Sequence, residues 1–125
     1  MKRQRTRAPK VAGITIAALL AISMLAGCHV HMVTIRLINT SAEPLSTIIV
    51  DYPSATFGKD KLAPGETFSS SVKFIDTGKL KIQFTDAKGA NHTFTGPVMP
   101  QDAKGSVDLK FDQNSVAVYP NLNTR

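Results

Sequence analysis

Residues 79–85 read Lys-Leu-Lys-Ile-Gln-Phe-Thr, and this stretch decides the fold class. Apolar Leu80, Ile82 and Phe84 alternate with polar residues, which is the period of a β-strand that buries one of its faces. The next four residues, 86–89, read Asp-Ala-Lys-Gly and fit a hairpin loop with the glycine in the left-handed position. The stretch therefore predicts a strand followed by a tight return of the chain.

The same alternation, or a run of β-branched residues, recurs on both sides of this stretch. Six further strands are predicted at 32–38, 45–52, 67–74, 91–95, 106–111 and 115–119. Turn residues separate them, including Pro64-Gly65, because Pro fixes the first central residue of a type II turn and Gly accepts the positive φ of the second. Seven short strands at about 8–12-residue spacing predict an all-β domain. We expect a small antiparallel two-sheet sandwich of immunoglobulin-like size, with a small barrel as the alternative.

The first 27 residues have a different composition from the rest of the chain. Five of the 15 basic residues lie in the first ten positions, and residues 11–26 carry no charge. A basic start, an apolar middle and small residues at a cleavage site are the features of an export signal. The apolar stretch is shorter than the ~20 residues that a spanning helix prefers. We therefore predict a helical signal peptide at 1–27, cleaved between Gly27 and Cys28.

Leu25-Ala26-Gly27-Cys28 contains the only cysteine of the sequence. This motif resembles the lipobox of bacterial lipoprotein precursors. The resemblance implies that the Cys28 thiol receives diacylglycerol and that the new N-terminus is acylated, with palmitate as an expected chain. It implies no cofactor besides this covalent lipid, and a membrane-attached location outside the cytoplasm. Because His29 departs from the Asp that commonly retains such proteins in the inner membrane, we expect the periplasmic face of the outer membrane in a two-membraned host.

The 98 residues from Cys28 onward carry ten basic and nine acidic residues, so their net charge is only +1. The basic character of the whole chain therefore belongs to the leader and does not predict nucleic-acid binding. The expected organisation is a signal peptide at 1–27, a lipidated tether at 28–32, a β-sandwich at 33–120 and a C-terminal tail at 121–125. This delivered domain resembles small bacterial β-sandwich lipoproteins, which are mostly uncharacterised.

Catalytic chemistry is not indicated by the sequence. A hydrolase would need His92 to meet a serine and an acid, and Cys28 is consumed by the lipid. There is no glycine-rich phosphate loop and no histidine-rich zinc motif. We therefore predict a non-enzymatic protein that binds another envelope component, either a protein or part of the cell wall, or supports its assembly.

The contact residues predicted for that partner lie in or beside segment 53–61, which is treated as a loop. They are Tyr52, Phe57, Lys59 and Lys61. Aromatic rings beside charged residues are typical of contact surfaces. The alternative is that Phe57 covers one end of the sandwich.

The segment His29-Val30-His31-Met32 is the one cluster with metal-ligand character. His29 and His31 lie on the same side of an extended chain, and the Met32 thioether follows. Imidazole and thioether ligands could bind copper. A metal or small-ligand carrier using these three residues is therefore the alternative function.

Overall fold

The computed structural model describes residues 31–124, which fold into eight β-strands joined by turns and loops. The strands are β1 Val33–Asn39, β2 Leu45–Tyr52, β3 Ala55–Leu62, β4 Thr67–Val72, β5 Gly78–Thr85, β6 Asn91–Met99, β7 Lys104–Phe111 and β8 Val116–Asn123. Within residues 31–124 there is no helix of the length and apolar character needed to cross a membrane. The predicted signal peptide, its cleavage site at Gly27 and Cys28, and His29 lie outside the described residues.

The eight strands form two four-stranded sheets in a sandwich. Sheet 1 has the order β4-β1-β7-β8, and sheet 2 has the order β3-β2-β5-β6. Every neighbouring pair is antiparallel except β1 and β7, which run parallel with Val33 opposite Gly105 and Asn39 opposite Phe111. The all-β two-sheet sandwich predicted from the sequence is confirmed, with one parallel pair in it.

The core lies between the sheets and follows from the alternation within each strand. In β5, Leu80, Ile82 and Phe84 are buried, whereas Lys79 and Lys81 are exposed. The Phe84 ring meets the ring of Phe111, from sheet 1, edge to face at a centroid distance of 5.3 Å. Burial of each large apolar side chain contributes about 1.5–3 kcal/mol, so this core is the main source of stability.

The sandwich has two ends with different loops. At the Val33 end, where the chain enters β1, the connecting segments are 53–54, 73–77 and 100–103. At the opposite Asn39 end, the connecting segments are 40–44, 63–66, 86–90 and 112–115. This division decides which side chains can meet at each end.

Strand β3 is the main difference from the sequence prediction. The segment 53–61 was expected to be a loop, and this expectation was wrong because residues 55–62 pair with β2 along its length. The segment contains the charged run Lys59-Asp60-Lys61, which is unusual for a central strand. At the edge of a sheet such charges are tolerated, and they oppose pairing with another chain.

Three strands end at least two residues away from the ends predicted for them. The chain leaves β4 at Val72, two residues before the predicted end at Phe74, although Phe74 is itself fully buried. Strand β6 continues to Met99 instead of stopping at residue 95. Strand β8 runs to Asn123, where it pairs with Lys104, so residues 121–123 belong to sheet 1 and not to a tail.

Candidate functional site

Four side chains form a straight row across the outer face of sheet 1. Register places Ser69 of β4 opposite Arg36 of β1, Arg36 opposite Asp108 of β7, and Asp108 opposite Tyr119 of β8. Residues opposite each other on adjacent strands project from the same face of a sheet, so their side chains are neighbours. We call Ser69, Arg36, Asp108 and Tyr119 the Tyr119 row.

An ion pair occupies the centre of the Tyr119 row. Arg36 Nε donates a hydrogen bond of 2.6 Å to Asp108 Oδ1. This hydrogen bond, with the charge of the same carboxylate, raises the pKa of Arg36 further above its already high value. The Arg36 side chain is nevertheless 42% exposed and that of Asp108 25% exposed. The guanidinium is therefore held in place while remaining accessible to a partner.

Tyr119 is the exposed aromatic residue of the row. Val116 and Val118 of β8 pack against the core, so alternation turns Tyr119 to the outer face, where it is 54% exposed. Lys110 Nζ lies 5.1 Å from the centroid of its ring, a cation–π distance. Tyrosine and arginine are enriched at the centres of protein–protein interfaces, so the row has the side chains of a contact surface.

The two aromatic residues predicted to contact a partner are partly buried and pack against the core. Tyr52 and Phe57 are both half-buried, with ring centroids 6.1 Å apart. The Tyr52 ring also lies 5.9 Å from that of buried Phe74. Phe57 lies opposite buried Val50, so its ring is on the inner side of sheet 2 and packs against the core.

The two predicted contact lysines differ from each other. Lys59 is half-buried, with its Nζ 4.8 Å from the centroid of the Phe68 ring on β4 of the other sheet. Lys61 is exposed. Lys59 therefore covers the open side of the sandwich between β3 and β4. Of the four predicted contact residues, only Lys61 is exposed.

His92 lies in the hairpin that joins β5 to β6. Its ring stacks on Phe84 at a centroid distance of 5.0 Å, and its Nε2 is 2.9 Å from Asp86 Oδ2. The other carboxylate oxygen of Asp86 accepts hydrogen bonds from the backbone N–H groups of Lys88 and Ala90. In the described part of the chain, no serine or threonine hydroxyl is hydrogen-bonded to the His92 ring, so the pair ties the hairpin loop to the sheet.

The Asp86 contact predicts a pH dependence of stability. The hydrogen bond from His92, together with those from Ala90 and Lys88, lowers the pKa of Asp86. A carboxyl with a lowered folded-state pKa stabilises the fold above its unfolded pKa, and this contribution is lost as pH falls through the folded-state value. We expect Asp86→Asn to unfold at lower denaturant than the wild type near pH 7, and this difference to shrink as pH approaches about 3. Denaturant unfolding across this range measures it, and a pH-independent difference would contradict it.

The predicted copper ligands lie at the start of the described chain. His31 is half-buried and Met32 is 38% exposed, while His29 lies outside the described residues. Among residues 31–124 no three His, Cys, Asp or Glu side chains are grouped closely enough to hold a metal ion. Metal binding by His29, His31 and Met32 remains a prediction.

The described surface includes a groove on sheet 2 and another among the loops of the Asn39 end. One, of about 330 Å³, runs beside β2, β5 and β6, and its lining includes Thr47, Ile49 and Gln83. The other, of about 410 Å³, lies among the loops of the Asn39 end beside Glu43 and Gln113. The hydrogen bonds around Gln113, to the Ser41 hydroxyl and from the Ala87 N–H, join three loops there, so this groove is part of a fixed end of the sandwich.

Comparison with known proteins adds support for the fold. No protein-family model matches the chain, and no curated protein matches it. A solved structure, described as the NMR structure of the protein from Eubacterium rectale, is similar at 20% sequence identity with a TM-score of 0.54. The match covers 71% of this chain and 87% of that one. At this level of identity, the likeness concerns the fold alone.

Proposed function

We propose that this protein is a lipid-anchored, non-enzymatic binding module of the bacterial envelope. In this proposal its Tyr119 row contacts another envelope protein or supports the assembly of that protein. The observation that carries the proposal is the row itself, in which an exposed aromatic ring lies beside an accessible Arg36–Asp108 pair. Aromatic and arginine side chains account for much of the binding energy in protein interfaces.

The scaffold beneath the row supports this role. Its four residues come from four adjacent strands, and the inner faces of β1 and β7 are fully buried at Ile35, Leu37, Val107 and Leu109. A side chain that is already held in position loses little conformational entropy when a partner binds. The Arg36–Asp108 hydrogen bond and the Lys110–Tyr119 contact provide such restraint.

Attachment to the membrane comes, in this proposal, from the lipobox at Leu25–Cys28. Each buried methylene of an acyl chain contributes about 0.8 kcal/mol, so a diacylglycerol group with a further acyl chain is sufficient for stable anchoring. Anchoring confines the module to the membrane surface and so raises its effective concentration toward a partner held there.

Photo-crosslinking at Tyr119 in intact cells tests the binding surface. A photoreactive amino acid replaces Tyr119 in the full-length chain, and the matched control carries it at Val98, which is 55% exposed on the outer face of sheet 2. We expect one adduct of defined mass from position 119 and none from position 98. Adding Arg36→Ala is expected to lower the yield about tenfold, as for loss of an interface hot spot. Equal adducts from both positions, or none from 119, would reject the surface.

The anchor is tested separately in the same cells. Cys28→Ala is expected to abolish the incorporation of radiolabelled palmitate into the protein, because the thiol that receives the lipid is absent. Equal labelling of the wild-type and Cys28→Ala proteins, or no labelling of the wild type, would reject lipid attachment at Cys28, whatever the crosslinking result.

A further inference from the structure

The Val33 end of the sandwich presents exposed apolar side chains. Ile75, in the segment between β4 and β5, is 57% exposed, and Met32, just before β1, is 38% exposed. Most large apolar residues of the described chain are buried or pack against the core. Single exposed apolar residues are common on proteins, so their shared location matters more than their number.

Hydrogen bonds from two neighbouring segments fix the backbone around Ile75. The Asp102 N–H donates to the Phe74 carbonyl at 2.9 Å, and the Ile75 N–H donates to the Ser54 hydroxyl at 3.3 Å. The Gln101 N–H donates to the Thr77 hydroxyl at 3.0 Å. Because the Phe74 side chain points into the core and is fully buried, the side chain of Ile75, the next residue, lies at the surface. The exposure of Ile75 is therefore a property of an ordered segment.

The chain itself limits how far this end can be from the predicted lipid. Cys28 precedes Met32 by four residues, which span at most about 14 Å when fully extended. The seven residues of β1 extend about 23 Å toward the opposite end. Whatever its tilt, the sandwich must therefore keep its Val33 end near the anchored cysteine.

Two other surfaces of the sandwich carry charges that make them less suited to contact lipid. The outer face of sheet 1 carries the Arg36–Asp108 pair, and the β3 edge carries the charged run 59–61. At the Val33 end the exposed charges of both signs nearly cancel, since Lys73, Lys79 and Lys104 accompany two aspartates, Asp76 and Asp102. An end with little net charge and with exposed apolar side chains can contact a lipid surface without depending on the charge of its headgroups.

We propose that the Val33 end rests on the membrane surface, with Ile75 and Met32 entering the interfacial layer of the bilayer. This inference depends on the proposed lipid attachment at Cys28. The strands of the sandwich then stand away from the membrane, the Tyr119 row faces sideways, and the loops of the Asn39 end point outward. In this proposal the exposed apolar side chains of the Val33 end contact lipid and not a protein partner.

Site-specific fluorescence on the lipidated full-length protein tests the proposal. Lipidation blocks the Cys28 thiol, so Ile75→Cys introduces a single free thiol for an environment-sensitive dye. The matched control is Lys88→Cys, an exposed position in a loop of the Asn39 end. In phosphatidylcholine vesicles we expect the dye at 75 to shift to shorter wavelength and to be quenched by brominated acyl chains, and the dye at 88 to do neither. Addition of anionic lipid is expected to leave this contrast unchanged.

A second labelled position and vesicle flotation separate the possible outcomes. Asp76→Cys, also exposed, is expected to behave like position 75, which guards against a local effect of removing the isoleucine. If the protein floats with vesicles but positions 75 and 76 resemble position 88, the membrane-docked end is rejected while the anchor stands. If the protein does not float with vesicles at all, the lipid attachment fails and the docking proposal fails with it.

Discussion

Gly105→Ala is expected to destabilise the domain by about 3 kcal/mol or more, one of the largest effects for any single substitution in this chain. Gly105 lies in β7 with a φ of +129°, a region of backbone conformation that is essentially restricted to glycine. A β-carbon at this position would overlap the Asn121 carbonyl oxygen of β8 and would lie 3.3 Å from Leu122 Cα. Both neighbours are backbone, so relief of the overlap requires β7 and β8 to separate.

The location of Gly105 makes that separation costly. Its N–H donates to the Met32 carbonyl at 3.2 Å, so the same residue joins β1 on one side and β8 on the other. For a domain of about 100 residues, 1 kcal/mol corresponds to roughly 4–8 °C in the unfolding midpoint. We therefore expect the midpoint of Gly105→Ala, measured by thermal or denaturant unfolding, to fall by more than about 10 °C.

Gly89→Ala is the matched control for this prediction. Gly89 also has a positive φ, +87°, but a β-carbon there would have no atom within 4 Å. Its expected cost is the backbone contribution alone, about 1–2 kcal/mol. Equal losses in the two variants would show that backbone conformation, and not overlap with β8, determines the cost at Gly105.

The parts of the fold that follow from local pattern could be predicted from the sequence. Residues 79–85 alternate strictly, and the structure has β5 there with its three apolar side chains buried. The loop after it returns the chain as predicted, with Gly89 in the left-handed region. Both features depend on residues within a few positions of each other, so one segment of sequence contains the information.

Strand β3 could not be predicted because its partner decides its conformation. Residues 55–62 have weak alternation and a charged run, and on propensity alone they favour a loop. They become a strand because they pair with β2, from Ala55 opposite Tyr52 to Leu62 opposite Leu45. That pairing turns Phe57 toward the core from within a strand, whereas the alternative given with the loop interpretation had its ring cover one end of the sandwich.

The Tyr119 row was only partly accessible from sequence. Alternation in 115–119 turns Val116 and Val118 inward, so the outward direction of Tyr119 could have been inferred from the predicted strand. The neighbours of Tyr119 in the row could not be inferred in this way. Arg36 and Asp108 are 72 positions apart in the sequence, and they meet only because β1 pairs in parallel with β7. Strand order of this kind depends on tertiary packing and is not encoded in a local period.

Buried Asn39 is a further feature that local sequence does not reveal. It is fully buried at the end of β1, and its Nδ2 donates to the carbonyl oxygens of Glu43 at 2.9 Å and Leu62 at 3.0 Å. Its Oδ1 accepts from the N–H and the hydroxyl of Ser41. One side chain thus satisfies backbone groups from β3 and from the β1–β2 loop.

Asn39→Asp is expected to cost about 2–4 kcal/mol near pH 7, although the side chain keeps its size. One carboxylate oxygen can still accept the hydrogen bonds from Ser41. The other oxygen replaces the Nδ2 donor and faces the carbonyl oxygens of Glu43 and Leu62, to which it cannot donate. The Glu43 carbonyl oxygen keeps other donors, since the Ser41 hydroxyl lies 2.9 Å and Gln113 Nε2 3.2 Å from it. The Leu62 carbonyl loses the hydrogen bond from residue 39. The burial of a negative charge at this position destabilises the folded state further.

The pH dependence of Asn39→Asp distinguishes this cause from a packing defect. Burial beside carbonyl oxygens favours the protonated carboxyl, so its folded-state pKa would lie above its unfolded value. The stability deficit should then shrink as pH falls, because the protonated group can donate one of the two lost hydrogen bonds. Asn114→Asp, at an exposed position in the neighbouring loop, is the matched control and is expected to change stability by less than about 0.5 kcal/mol. A deficit for Asn39→Asp that stays constant between about pH 7 and about pH 3 would mean that the lost donor alone, and not the buried charge, accounts for the effect.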